Sequence, residues 1–153
     1  MFSSNDKDCA ILFLMSLLSQ YLFAIPLLVL ILCEITKVIV ERIHTGKWEE
    51  GFFKPGGMPS SHSAFVTSLL IIVGRKLGTH SVEFAIAFVF ACVVWYDAMS
   101  VRRAVGQQAQ ILNRLQHWKH FSERLGHSFK QVIVGILFGS VITQIGIWAA
   151  GKI

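Results

Sequence analysis

A chain of 153 residues is a single domain by length, and with 54% hydrophobic and 15% charged residues it departs from an ordinary soluble domain, in which about half the residues are apolar and about a quarter charged. The mean hydropathy of +0.59 points the same way. A net charge of +5 invites a nucleic-acid reading, but basic loops beside membrane spans have a commoner cause, the orientation of those spans, so no nucleic-acid partner is expected.

In chain order, "MFSSNDKD" carries two acids against one lysine, and the apolar run behind it is too long for the core of a signal peptide. Cys9 to Cys33 contains no charged residue. Pro26 divides this run, which predicts a separate N-terminal helix over 9–20 and a first span over 21–43. A single helix kinked at the proline is the other arrangement the run allows. Glu34 and Lys37 lie three apart on one face of that span, close enough to pair, and charges inside a span face protein or water. The polar loop "ERIHTGKWEEGFFKPGG" leads to a second span over 61–77, in a stretch uncharged from Pro55 to Gly74, and "GRKLGTHS" turns into a third over 82–100. The basic segment 103–122 has apolar residues at Ile111, Leu112, Leu115, Trp118 and Phe121, the spacing of an amphipathic helix lying on the membrane surface or capping the bundle. A fourth span covers 131–150, where Gly135, Gly139 and Gly146 offer surfaces for close helix approach. The expected fold class is therefore an all-α integral membrane bundle with about four transmembrane helices, each long enough for a hydrocarbon core of roughly 30 Å. Cys9, Cys33 and Cys92 all fall in apolar runs and read as small buried hydrophobes; neither a disulfide framework nor a metal site is expected of them.

Two spans separate the polar loop that opens at Glu41 from the segment after residue 100, so both lie on one side. They carry nine Lys and Arg (Arg42, Lys47, Lys54, Arg102, Arg103, Arg114, Lys119, Arg124, Lys130) against four on the other side (Lys7, Arg75, Lys76, Lys152). The positive-inside rule puts the richer side in the cytoplasm. Polar residues gather at the helix ends there: Pro59-Ser60-Ser61-His62-Ser63 opens the second span, Tyr96-Asp97 closes the third ahead of Arg102-Arg103, and Gly126-His127 precedes the fourth. Hydroxyls and backbone N–H groups at a helix start, arginines and histidines are what a phosphate ester requires.

These blocks, "GGMPSSHSA" (56–64), "FAIA" (84–87), "YDA" (96–98), "VRRAVGQQA" (101–109), "LN" (112–113) and "LGH" (125–127), with Val132, Gly135 and Gly139 after them, resemble the type-2 phosphatidic acid phosphatase superfamily, which shares its helical fold with vanadium haloperoxidases. The similarity is closest to its divergent branch of small membrane proteins and covers about residues 34–140. It implies metal- and cofactor-free hydrolysis of a lipid phosphate monoester or diphosphate, in which His127 attacks phosphorus and His62 protonates the leaving oxygen. Ser60, Ser61, the Gly57 backbone, and Arg102 or Arg103 would hold the phosphate oxygens. Lys47 and Lys54-Pro55 echo the superfamily's first motif. The acid that usually follows the nucleophile by four residues is here Gln131, and His120-Phe121 replaces the expected Ser-Arg pair. Asp97 is the candidate substitute acid, Gln131 and Asn113 are candidate supporting residues, and Gln131 favours a second reading, a catalytically weak protein that binds or moves phospholipid headgroups. Membrane lipid and a phosphorylated lipid are the expected partners. Four spans enclose little volume, which leaves a homodimer open as an arrangement.

Overall fold

The computed structural model describes residues 24–45, 57–116, 118–123 and 125–150. They form five helices: α1 (Ala24–Thr45), α2 (Ser61–Leu77), α3 (Val82–Met99), α4 (Val101–Leu115) and α5 (Phe129–Ala149), with no strand among the described residues. The expected helix over 9–20 lies outside them, as do Lys47 and Lys54.

Serine marks three of the helix starts. Ser60, Ser81 and Ser128 are extended, and their hydroxyls accept from the N–H three residues on, which satisfies donors that the first turn leaves without partners. At Ser100 no side chain caps α4; the backbone there stays in the right-handed helical region and Ala104 N donates to Ser100 O at 2.9 Å, so α3 continues into α4 through a local break. α4 ends at Leu115, short of the expected 122. Two side chains account for the correction. Asn113 Nδ2 donates to Phe121 O, its Oδ1 accepts from Phe121 N, both at 2.9 Å, and Gln116 closes a turn with Lys119. Amide side chains here satisfy backbone groups that another helical turn would use.

α2 is the central helix, packed against α1, α3 and α5. The core joins Ile25, Val29 and Cys33 of α1 to Ala64 and Ile72 of α2 and Ile147 of α5. Glycine sets the α2–α5 approach. A Cβ on Gly135 would lie 2.5 Å from Ser60 O, and one on Gly139 would strike the Ala64 carbonyl, so backbone meets backbone one turn apart. Two buried hydroxyls bond back along their own helices, Thr67 to Ser63 O at 2.6 Å and Thr143 to Gly139 O at 2.5 Å, which satisfies them within the apolar seam.

Two helical stretches are long and apolar enough to cross a membrane, Val82–Leu115 and Phe129–Ala149. Their large apolar side chains, among them Ile86, Val89, Val93, Leu137, Val141 and Ile145, point outward. That pattern distinguishes them from the core helix of a soluble protein and fits a lipid-facing surface.

Candidate active site

Five elements converge at one end of the bundle, held there by short backbone contacts. Ser60 N donates to Gln131 O at 3.3 Å and joins the start of α2 to the start of α5. His127 N donates to Ala98 O at 2.9 Å and ties the segment before α5 to the end of α3. Gly126, with φ of +89°, lets that segment run against the start of α4: an added Cβ would lie 2.5 Å from Arg103 N. Cys33 Sγ of α1 reaches Pro59 O at 3.9 Å, which sets α1 beside the approach to α2.

At the start of α2, Ser60 and Ser61 are buried and His62 is exposed. The Ser60 hydroxyl oxygen accepts from Ser63 N at 3.4 Å and from Ser63 Oγ at 2.9 Å, so Ser60 acts first as a cap. The positive end of the α2 dipole points to the same corner, where an anion is favoured.

His127 is 7% exposed, and its Nδ1 is buried with no hydrogen-bond partner. Burial pushes this imidazole below its ordinary value of 6.5, and the charges of Lys37, His62 and Arg102 act in the same direction, against a smaller opposing effect of the Gln131 side chain. The ring therefore rests neutral at pH 7, the form in which a ring nitrogen carries a lone pair. Arg102 reaches the corner from the first turn of α4, its Nε 2.6 Å from Asp97 Oδ2 in a half-exposed pair. Arg103 is exposed, and its backbone is what Gly126 packs against.

The structure adds a cation that the motif blocks do not contain. Lys37 of α1 is 6% exposed, its Nζ is 2.9 Å from Glu34 Oε1, and its stem lies across Gly57, whose Cβ would sit 3.0 Å from Lys37 Cδ. Gly57 has a φ of +84°, and the following Met58–Pro59 bond is cis. The only sign of Lys37 in the sequence is an acid and a base three apart within an apolar run.

With this arrangement in view, comparison with known proteins is decisive. Residues 18–142 match the Divergent PAP2 family. The chain belongs to that family. It is 32% identical over 152 residues to YuiD of Bacillus subtilis (strain 168), described as an uncharacterized membrane protein, and the match covers 86% of this chain and 96% of YuiD. No solved structure matches the chain. It is a membrane protein related to the PAP2 enzymes.

Within this divergent PAP2 chain, His62, His127, Arg102, Asp97, Ser60, Ser61 and Gly57 share one corner, and three of the expected residues make further contacts. Gln131 forms a capping box: its Oε1 accepts from Ser128 N at 2.7 Å while Ser128 Oγ accepts from Gln131 N at 3.4 Å. The same side chain also reaches the His127 imidazole, whose protonated form it favours. Asp97 carries its charge against Arg102. Asn113 does not line the corner; its side chain fastens the loop after α4 through Phe121 and through Glu123 Oε1 at 2.7 Å. Among the described residues no three His, Cys, Asp or Glu side chains gather closely enough to chelate a metal ion.

Proposed function

We propose that this protein is a multi-pass membrane phosphohydrolase acting on a lipid phosphate monoester or diphosphate, with its site at the cytoplasmic face of a four-span bundle. The observation that carries the proposal is the meeting of a buried, neutral His127 with His62, Arg102, Lys37 and the start of α2 at one end of the helices. At such an end a headgroup can enter while its acyl chains stay in the bilayer. α1 has 22 residues and α2 has 17, lengths of about 33 Å and about 26 Å at 1.5 Å per residue, which with α3 and α5 would make four spans.

In the proposed reaction a ring nitrogen of His127 attacks phosphorus, the P–O bond to the lipid breaks, and protonated His62 delivers its proton to the leaving oxygen. Water, giving a proton to the now neutral His62, then attacks the phosphohistidine; the P–N bond breaks and phosphate departs. Arg102, Lys37 and the α2 N–H groups stabilise the charge on the phosphoryl oxygens, the main source of rate enhancement in this class of transfer.

One observation favours a second reading. His127 Nδ1 has no partner and the Gln131 oxygen is held by Ser128 N. No carboxylate then orients or stabilises the imidazolium, as suits a protein that binds phosphate headgroups and turns them over slowly. Phosphate release from a panel of lipid phosphates by the full chain in detergent, alongside His62→Ala and His127→Ala, separates the two. Release that both substitutions abolish supports the hydrolase. No release from any substrate, with phosphate still raising the melting temperature, supports the binding protein.

A further inference from the structure

We infer that the face of α2 left uncovered between α1 and α3 is an acyl-chain groove, in which the tail of a lipid phosphate lies along Phe65, Leu69 and Val73 while its headgroup sits at His62. The inference deepens the lipid phosphate reading above and rests on it.

The packing of the bundle defines the groove. α1, α3 and α5 all pack on α2, and α5 also packs on α1 and α3, which closes one side of α2. Among the described residues α1 and α3 form no comparable interface with each other, so the opposite side of α2 is left open between them. The sequence of α2 matches that opening. Ala64 and Ile72 belong to the core shared with α1 and α5, Ser60, Ser63 and Ala64 meet the α5 glycines, and Gly74 meets Phe84 of α3. His62, Phe65, Leu69 and Val73 follow one another at steps of three or four residues, so they share a single stripe, and none of them is buried.

This stripe differs from an ordinary lipid-facing surface. On the outward faces of α3 and α5, Val89 and Leu137 are 61% and 60% exposed. Phe65, Leu69 and Val73 are instead half-buried between two flanking helices, and their stripe ends at His62. Charge is distributed along it as in a lipid phosphate, but with opposite sign at the head. Lys37, Arg102 and the positive end of the α2 dipole gather at the corner, while Ser63 to Gly74 carries no charged residue. Lipid tails are as apolar as leucine, so the groove gains little from the hydrophobic effect. Its contribution is to fix the tail, and with it the direction in which the phosphate ester reaches His62 and His127.

The test compares hexadecyl phosphate with butyl phosphate, two monoesters that differ only in tail length, as substrates of the full chain in lipid nanodiscs. Leu69 lies about 10 Å along the helix from His62 at 1.5 Å per residue, beyond the reach of a butyl tail. Leu69→Trp fills the groove, and Val89→Trp on the outward face of α3 is the control. L69W should lower kcat/KM for hexadecyl phosphate at least tenfold and leave butyl phosphate within threefold of wild type, while V89W changes neither. A value for hexadecyl phosphate within threefold of wild type in folded L69W overturns the inference, as does an equal loss in V89W or an equal loss for both esters. Should L69W not fold, or should wild type hydrolyse neither ester, labelling of the wild type decides. A diazirine on the hexadecyl tail should then label α2 between residues 65 and 73, and excess orthovanadate, which competes for the corner, should remove that label. Label found elsewhere, or insensitive to orthovanadate, overturns the groove. An orthovanadate-sensitive label on α2 without hydrolysis upholds the groove while the phosphohydrolase reading fails.

Discussion

Gly126→Ala tests how the fold positions the nucleophile, because Gly126 is where the His127 segment touches α4. Two costs add at this position. Its φ is +89°, a conformation that costs an L side chain about 1–3 kcal/mol. The new Cβ would also lie 2.5 Å from Arg103 N, 2.7 Å from Arg103 Cα and 2.9 Å from the Arg102 carbonyl carbon. Backbone atoms cannot rotate away, so overpacking adds about 1–3 kcal/mol more. Gly78→Ala is the internal control: its φ is +82°, but an added Cβ meets nothing within 4 Å. The expected losses are about 2–6 kcal/mol for Gly126→Ala and about 1–3 kcal/mol for Gly78→Ala. For a chain near this size each kcal/mol lowers Tm by about 2–4 °C. Thermal unfolding in detergent measures the difference. In lipid phosphate hydrolysis, Gly126→Ala should lose on the order of 100-fold, since a displacement of about 1 Å between His127 and Arg102 costs that much, while Gly78→Ala should keep wild-type activity. Equal melting temperatures and equal activities for the two variants would refute the claim that Gly126 sets the position of His127.

Gln131→Glu keeps the capping box, since a carboxylate can accept from Ser128 N with one oxygen and leave the other, carrying charge, for the His127 ring. Loss of such an acid can cost up to roughly 10⁴ in rate, so phosphate release should rise at least tenfold, and an unchanged rate would show that the missing acid does not limit the reaction. Arg102→Ala should raise the half-saturating vanadate concentration at least tenfold while barely moving Tm, because its half-exposed pair with Asp97 belongs to a class worth about 0–1 kcal/mol; a large Tm loss with unchanged vanadate binding would make Arg102 structural. His127 titrates below its ordinary 6.5 when folded, so the unfolded chain takes up its proton first. The stability from its neutral, buried form is complete above about pH 6.5 and lost as pH falls through the folded value. Tm should therefore drop between pH 7.5 and pH 5 in wild type and drop less in His127→Gln, and parallel curves would contradict the assignment.

Much of the site was legible because its parts are local. "GGMPSSHSA" carries its glycines, its cap and His62 within nine residues, and the glycines of α5 announced the close seam with α2. Lys37 was not legible as a site residue. Its meaning depends on α1 folding against Gly57 and Pro59, a contact between residues about 20 positions apart. Gln131 was legible only in part: its spacing from His127 matched the family's acid, while the equally visible Ser128-x-x-Gln131 pattern is that of a capping box. The amphipathic period does continue through Trp118 and Phe121, yet the helix stops at Leu115. Periodicity records which residues are apolar, and it is silent on the Asn113 and Gln116 side chains that claim the next backbone groups.

The most direct test of the proposed chemistry is to quench the full chain during turnover of a lipid labelled in its phosphate and to map the protein-bound label. A phosphohistidine mechanism predicts an acid-labile, alkali-stable phosphoryl group on His127, absent from His127→Gln. A chain that releases phosphate with no label on His127, or with the label on another residue, would contradict it.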